Sequence, residues 1–160
     1  MAKALEVAKV YLELASAGVE ADPISNLRLQ KLLYYAQGWS LALRHAPAFS
    51  ERIEAWALGP VVPDVYHALK HHGAGAIPAD AILADSLEDD DAGFVSEVWE
   101  AYKGFSATKL SAMTHLEEPW LVARGNRGPS EACNEEITTT SLQAYFAGRI
   151  KKASAVTKKK

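Results

Sequence analysis

At 160 residues, 49% of them hydrophobic and 23% charged, the chain has the size and composition of one compact globular domain. No apolar run reaches the ~20 residues that a membrane-crossing helix needs, and the amino-terminal MAKALEVAKVYLELASAG intersperses charge where a signal peptide would be apolar, so a soluble, cytoplasmic protein is expected. Six Lys and Arg lie from Arg149 onward without an acid, leaving eleven bases against twenty acids (−9) over residues 1–148, and this sign weighs against a nucleic-acid-binding body.

A first helix is predicted over Lys3–Ala17, with Leu5, Ala8, Leu12 and Ala15 on one face. Ser25 is the expected N-cap of a second, where Leu29, Leu32, Leu33, Ala36, Trp39 and Leu43 recur at helical spacing to about His45. Arg28 stands where a capping box would have Glu or Gln. Arg52–Ala57 reads as a short strand, with Ile53, Ala55 and Ala57 on one side and Glu54 and Trp56 on the other. Gly59-Pro60 is expected to end it. Pro63 then suits the first turn of a helix reaching His71 or His72, closed by Gly73. Residues 73–91 read as loop with room for one short helical turn.

Phe94, Val95, Val98, Trp99 and Tyr102 mark a further helix, entered through acids that suit the helix dipole. Ser106 is the expected cap of another through Met113, and Pro119 begins a short one through Arg124. Ile137 is expected to pair with the Arg52–Ala57 strand, because a lone strand leaves its backbone groups unpaired. A last helix is predicted from about Thr140 to Ile150. Residues 151–160, KKASAVTKKK, have nothing to bury and are expected to be a disordered basic tail. The fold expected is mainly α: a compact single-domain helical bundle over residues 1–150 with a small two-stranded β element.

Tests for chemistry yield no catalytic constellation. His67 and His71 sit four apart on one predicted helix, a spacing used in helical zinc sites, but Ala68 stands where a metalloprotease has its Glu. Cys133, the single cysteine, excludes an internal disulfide, and no elbow of small residues surrounds it. The Glu88–Asp91 run lacks the alternation of a calcium loop. No enzyme, metal or cofactor is expected. Trp39 and Trp99 read as core; Trp56 reads equally well as a contact residue or a structural lid. Gln30, Lys31, Tyr34, Tyr35 and Gln37 form a polar stripe that suits either a half-buried helix edge or a binding face.

Three ordered segments carry a resemblance. Ile24–Trp39 (ISNLRLQKLLYYAQGW) is similar to the signature helix of the Panacea antitoxin domain family, which includes SocA-like and GepA-like members. Phe49–Gly73, with its GPVVPDVY stretch, resembles the family's second signature. Ser111–Arg124, with Thr-His followed by Pro-Trp, resembles the third. The resemblance implies an antitoxin that binds and neutralises a toxin encoded by the adjacent gene, and for SocA-like members delivery of that toxin to the ClpX unfoldase of ClpXP. The toxin's identity does not follow from the motifs.

Carried over by motif, the candidate partner-binding residues are Gln30, Lys31, Tyr34, Tyr35, Gln37, Glu54, Trp56, Tyr66, His115 and Trp120. Gly59, Pro60, Val61, Pro63 and Pro119 are expected to be structural. His115 is also a candidate internal tie to Glu54 or Gln30. Two other readings stand beside this one: an autoregulator binding nucleic acid through the basic tail, and, with less support, a histidine-dependent metalloenzyme.

Overall fold

The structure, a computed structural model, describes residues 1–18 and 22–158, with side chains described as far as Lys151. Its helices are α1 (Ala4–Ser16), α2 (Asn26–Arg44), α3 (Pro63–Leu69), α4 (Asp89–Tyr102), α5 (Ala107–Thr114), α6 (Glu118–Arg124) and α7 (Thr139–Lys158); its strands are β1 (Ile53–Trp56), β2 (Gly59–Val61) and β3 (Glu136–Ile137). The mainly α expectation holds. None of the described helices is long and apolar enough to cross a membrane.

The sheet has three strands where two were expected, in the order β2-β1-β3, all antiparallel. The pairing of Ile53 with Ile137 is as expected. The extra strand is β2: Gly59 and Pro60 do not merely end β1 but turn the chain back alongside it, with Trp56 opposite Gly59 and Ala55 opposite Pro60. Pro60 has no amide hydrogen to give, which suits an edge strand. Gly59 is held at φ 115°, and a Cβ there would come within 2.6 Å of Lys31 Cε and 2.9 Å of Thr114 Oγ1. Both the backbone and the space therefore require glycine.

Helix α2 is central and is wrapped by α1, α3, α4, α5, α7 and β2. Ser25 caps it by accepting from the Arg28 amide at 3.3 Å. Arg28, in place of a capping acid, ties the start of α2 to its surroundings: it pairs with Asp22 at 2.7 Å and donates to the Lys103 carbonyl at 2.9 Å, with its guanidinium 5.3 Å from the Trp99 ring. Trp99 is core as expected, whereas Trp39 is half-buried and donates its indole N–H to Tyr102 at 2.8 Å. Leu43, placed by its spacing on the apolar face, is exposed.

The most extensive helix contact is between α2 and α7. Phe146 packs against Gly38, where a Cβ would meet the ring at 2.1 Å, and Tyr34, Tyr35, Trp39 and Tyr145 surround it at centroid distances of 4.9–6.1 Å. Burying such a ring contributes about 1.5–3 kcal/mol, plus a smaller increment from each edge-on aromatic pair. Helix α7 continues past the expected end near Ile150 to Lys158, so residues 151–158 of the expected tail form helical backbone. Lys159 and Lys160 lie outside the described residues. Helix α3 stops at Leu69 and tightens into a 3-10 turn over Lys70–His72 before Gly73 at φ 59°, one turn short of the uniform helix predicted.

Candidate functional site

The motif residues divide between an inner set and an outer set. Helix α2 holds the inner set. Gln30, Lys31, Tyr34, Tyr35 and Gln37 are all buried, so the half-solvated edge does not describe them, and Gln30 is the one of the five that lines the cleft described below. Each is tied inward instead. Gln37 accepts from the Ala48 and Phe49 amides at 2.8 and 3.2 Å and donates to the Phe49 carbonyl at 3.0 Å, clamping the approach to β1. Gln30 accepts from the Val62 amide at 2.9 Å and donates to Asn26, which donates to the Tyr66 carbonyl.

Tyr34 and Tyr35 donate to the two oxygens of Glu117 at 2.9 and 3.0 Å, and Arg149 stands 3.6 Å from the same carboxylate. Burial raises the Glu117 carboxyl, opposed by the tyrosine hydroxyls and Arg149. Both tyrosines are pushed well above their ordinary range, first by burial and then by Glu117. Lys31 is 0% exposed and donates to the Pro60 carbonyl at 3.0 Å; burial alone lowers its ammonium to about 7.

The same inward logic fixes the β1–β2 hairpin. The carbonyls of four successive residues accept from side chains of α5, its C-cap and α6. Arg124 donates to Ala55 at 3.0 Å, Trp120 to Trp56 at 2.8 Å and Ser111 to Leu58 at 2.6 Å, while a ring nitrogen of His115 lies 2.8 Å from the Ala57 carbonyl. The other His115 nitrogen meets the Ser111 carbonyl. The expected tie of His115 to Glu54 or Gln30 is therefore corrected: its partners are backbone oxygens. Trp120, a contact candidate, is buried and works as one of these clamps, with the His115 ring tilted against it at 4.2 Å and the Arg124 guanidinium 4.9 Å from its ring. Val61 is buried, and Pro63 and Pro119 open α3 and α6 as expected.

The outer set faces a cleft. Glu54, Trp56 and Tyr66 line it together with Asn26, Leu58, His67, Cys133 and their neighbours, around a volume of about 1220 Å³. Trp56 is half-buried in the cleft wall. Its indole N–H is held by Glu54 at 2.9 Å, and its ring stands edge-on to Tyr66 at 5.0 Å. Arg52 pairs with the other Glu54 oxygen at 3.1 Å. His67 completes the aromatic wall, 6.1 Å from Trp56. The premise of a His67–His71 pair fails with the helix: His71 lies in the 3-10 turn, its ring tilted against that of His72 at 4.1 Å. Among the described residues no three His, Cys, Asp or Glu gather as metal ligands would.

Ser111, Glu117 and Arg124 were not singled out from the sequence. The available signal was chemical misfit: an acid and a base inside a short Trp-containing segment whose neighbours are apolar, where a buried charge needs a built partner.

Comparison with known proteins places this arrangement. The family described as "Antitoxin SocA-like, Panacea domain" matches residues 29–121, the span from α2 through the hairpin and cleft to α6. The chain is also similar to Antitoxin SocA of Caulobacter vibrioides (strain NA1000 / CB15N), at 35% identity over 136 residues, covering 78% of this chain and 72% of the relative. No solved structure matches it.

Proposed function

The chain belongs to the SocA-like Panacea antitoxin family, and from that premise we propose that it neutralises one protein toxin, encoded beside it, by direct binding. The function is occupancy of a partner, with no bond made or broken. What carries this reading is that the relative's similarity spans most of both chains while the family match runs from within α2 through the hairpin into α6. The internal geometry supports it. Buried polar groups fix one surface hairpin from behind, which is how a fold prepares a contact surface before a partner arrives.

The test is co-expression. Producing the adjacent gene's product alone should arrest growth, adding this chain should restore it, and the two should purify as one complex. Absence of rescue ends the reading. A finer step belongs to the same proposal: this chain hands its bound toxin to ClpXP. Purified ClpXP should then degrade the toxin when this chain is present and leave it intact when the chain is omitted.

A further inference from the structure

We propose that the cleft between the hairpin and α3 is where the toxin docks, and that it receives an extended segment of that protein carrying an apolar side chain beside a Lys or Arg. This rests on the antitoxin reading and specifies its surface. Three observations lead to it. First, the outer wall is prepared: the carbonyls of residues 55–58 and of Pro60, and the amide of Val62, are each held by a side chain from behind. Such an investment rigidifies a strand pair that is only three or four residues long. Short hairpins are marginal by themselves, and a pre-ordered one loses little entropy when a partner binds.

Second, the wall has the composition of a contact centre. Trp56 and Tyr66 form an aromatic corner beside the Glu54 carboxylate, and Leu58 at the turn is 65% exposed. Tryptophan and tyrosine anchor interfaces, an aromatic face attracts a cation, and the Glu54 carboxylate, paired with the exposed Arg52, has to be shared with an incoming one. The volume, about 1220 Å³ and open to solvent, exceeds the ~300–1,000 Å³ of small-molecule sites, which favours a polypeptide segment over a metabolite.

Third, the charge around the mouth is acidic. Asp64 beside the Pro63 wall and Glu131, Glu135 and Glu136 flanking the 132–134 wall are all exposed. Arg52 pairs with Glu54 and Arg127 with Glu135, so these charges cancel, and Asp64, Glu131 and Glu136 remain against Lys70 among the described residues. A basic segment complements this rim, and an acidic one would be repelled.

Cys133, the only cysteine of the chain, lines the cleft and is partly exposed, so it reports on occupancy without any substitution. The experiment uses the full chain, alone and in complex with the adjacent gene's product, and follows alkylation by N-ethylmaleimide. Complex formation should slow Cys133 alkylation at least tenfold, and prior labelling with a bulky maleimide should block the complex. Trp56→Ala should weaken binding at least a hundredfold and Glu54→Gln about tenfold, with binding that also weakens as salt rises. Leu58→Lys, on a side chain outside the core, tests the same surface should Trp56→Ala fail to fold.

A tight complex in which Cys133 reacts at its free rate would overturn the docking site and leave the antitoxin reading standing. Cleft protection with no effect of salt or of Glu54→Gln would overturn the basic character given to the segment. If no complex forms at all, both readings fall together.

Discussion

Helix α2 and the β1–β2 hairpin carry the two densest runs of signature residues, yet they place them in opposite ways. On α2 the polar members Gln30, Lys31, Tyr34, Tyr35 and Gln37 are all buried, with Gln30 alone of the five at the cleft lining. On the hairpin the inward groups are backbone carbonyls, while Glu54, Trp56 and Leu58 face the cleft. The helix uses side chains to hold the fold. The hairpin has its backbone held by others, which leaves its side chains facing the cleft. A family signature therefore does not mark a binding surface as such; part of it encodes the clamps that hold the hairpin.

If this division is correct, substitutions in the inner set should move stability, and substitutions in the outer set should move partner affinity. The largest stability effect is expected at Glu117. Glu117→Ala strands two buried tyrosine hydroxyls and frees Arg149. A cost of about 3–5 kcal/mol follows from removing one member of a buried polar cluster, and chemical denaturation measures it. Glu117→Gln keeps an acceptor and should lose less than half as much.

Lys31 gives the next effect, and its sign is distinctive. Its ammonium is lowered to about 7 in the fold, against an ordinary value near 10.4. Between those values the unfolded chain holds the proton and the folded chain does not, so raising the pH favours the fold. Stability should climb from pH 7 to 9.5 by at most about 3 kcal/mol, one proton's linkage over that span. The raised hydroxyls of Tyr11, Tyr34 and Tyr35 act oppositely, but above pH 10, where only the unfolded chain would release those protons. Urea midpoints across the series should rise for the native protein and stay flat for Lys31→Met; a parallel rise in both would show that Lys31 is not the source.

Gly38→Ala sharpens the packing side of the same comparison. In an exposed helix the change would gain about 1 kcal/mol. Here the new methyl meets Phe146 at 2.1 Å, and overpacking of this kind costs about 1–3 kcal/mol. Net destabilisation, read from the thermal midpoint, is the expected outcome. A stabilised variant would mean that α7 shifts off α2 easily.

The sequence showed the helices because their apolar spacing and caps are local properties. Ser25, Ser106, Pro63 and Pro119 mark their starts correctly. β2 was missed because three residues are too few to show alternation, and Gly59-Pro60 carries the chemistry of a stop as well as that of a hairpin. The burial of Lys31 was equally hidden. A lysine inside a helix normally reads as solvated, and only the approach of Pro60 from 29 residues away gives its ammonium a partner. The side-chain clamps on residues 55–58 join positions more than fifty apart, so no local pattern announces them. The cleft residues Glu54, Trp56 and Tyr66 were legible as a group through the resemblance, though their shared wall was not.

The smallest stability change is expected at the hairpin turn. Leu58 lies outside the core at 65% exposure, and the bond that anchors it runs from the Ser111 hydroxyl to its carbonyl. A backbone acceptor is indifferent to the side chain mounted on it. Leu58→Lys should therefore stay within about 0.5 kcal/mol of the native protein, as surface substitutions do, while Ser111→Ala, which removes the clamp and leaves Leu58 in place, should cost about 1 kcal/mol. If Leu58→Lys proves the more damaging of the two in urea, the turn is held by its side chain after all. The separation between a fixed backbone and interchangeable contacts would then fail at the position where it should be clearest.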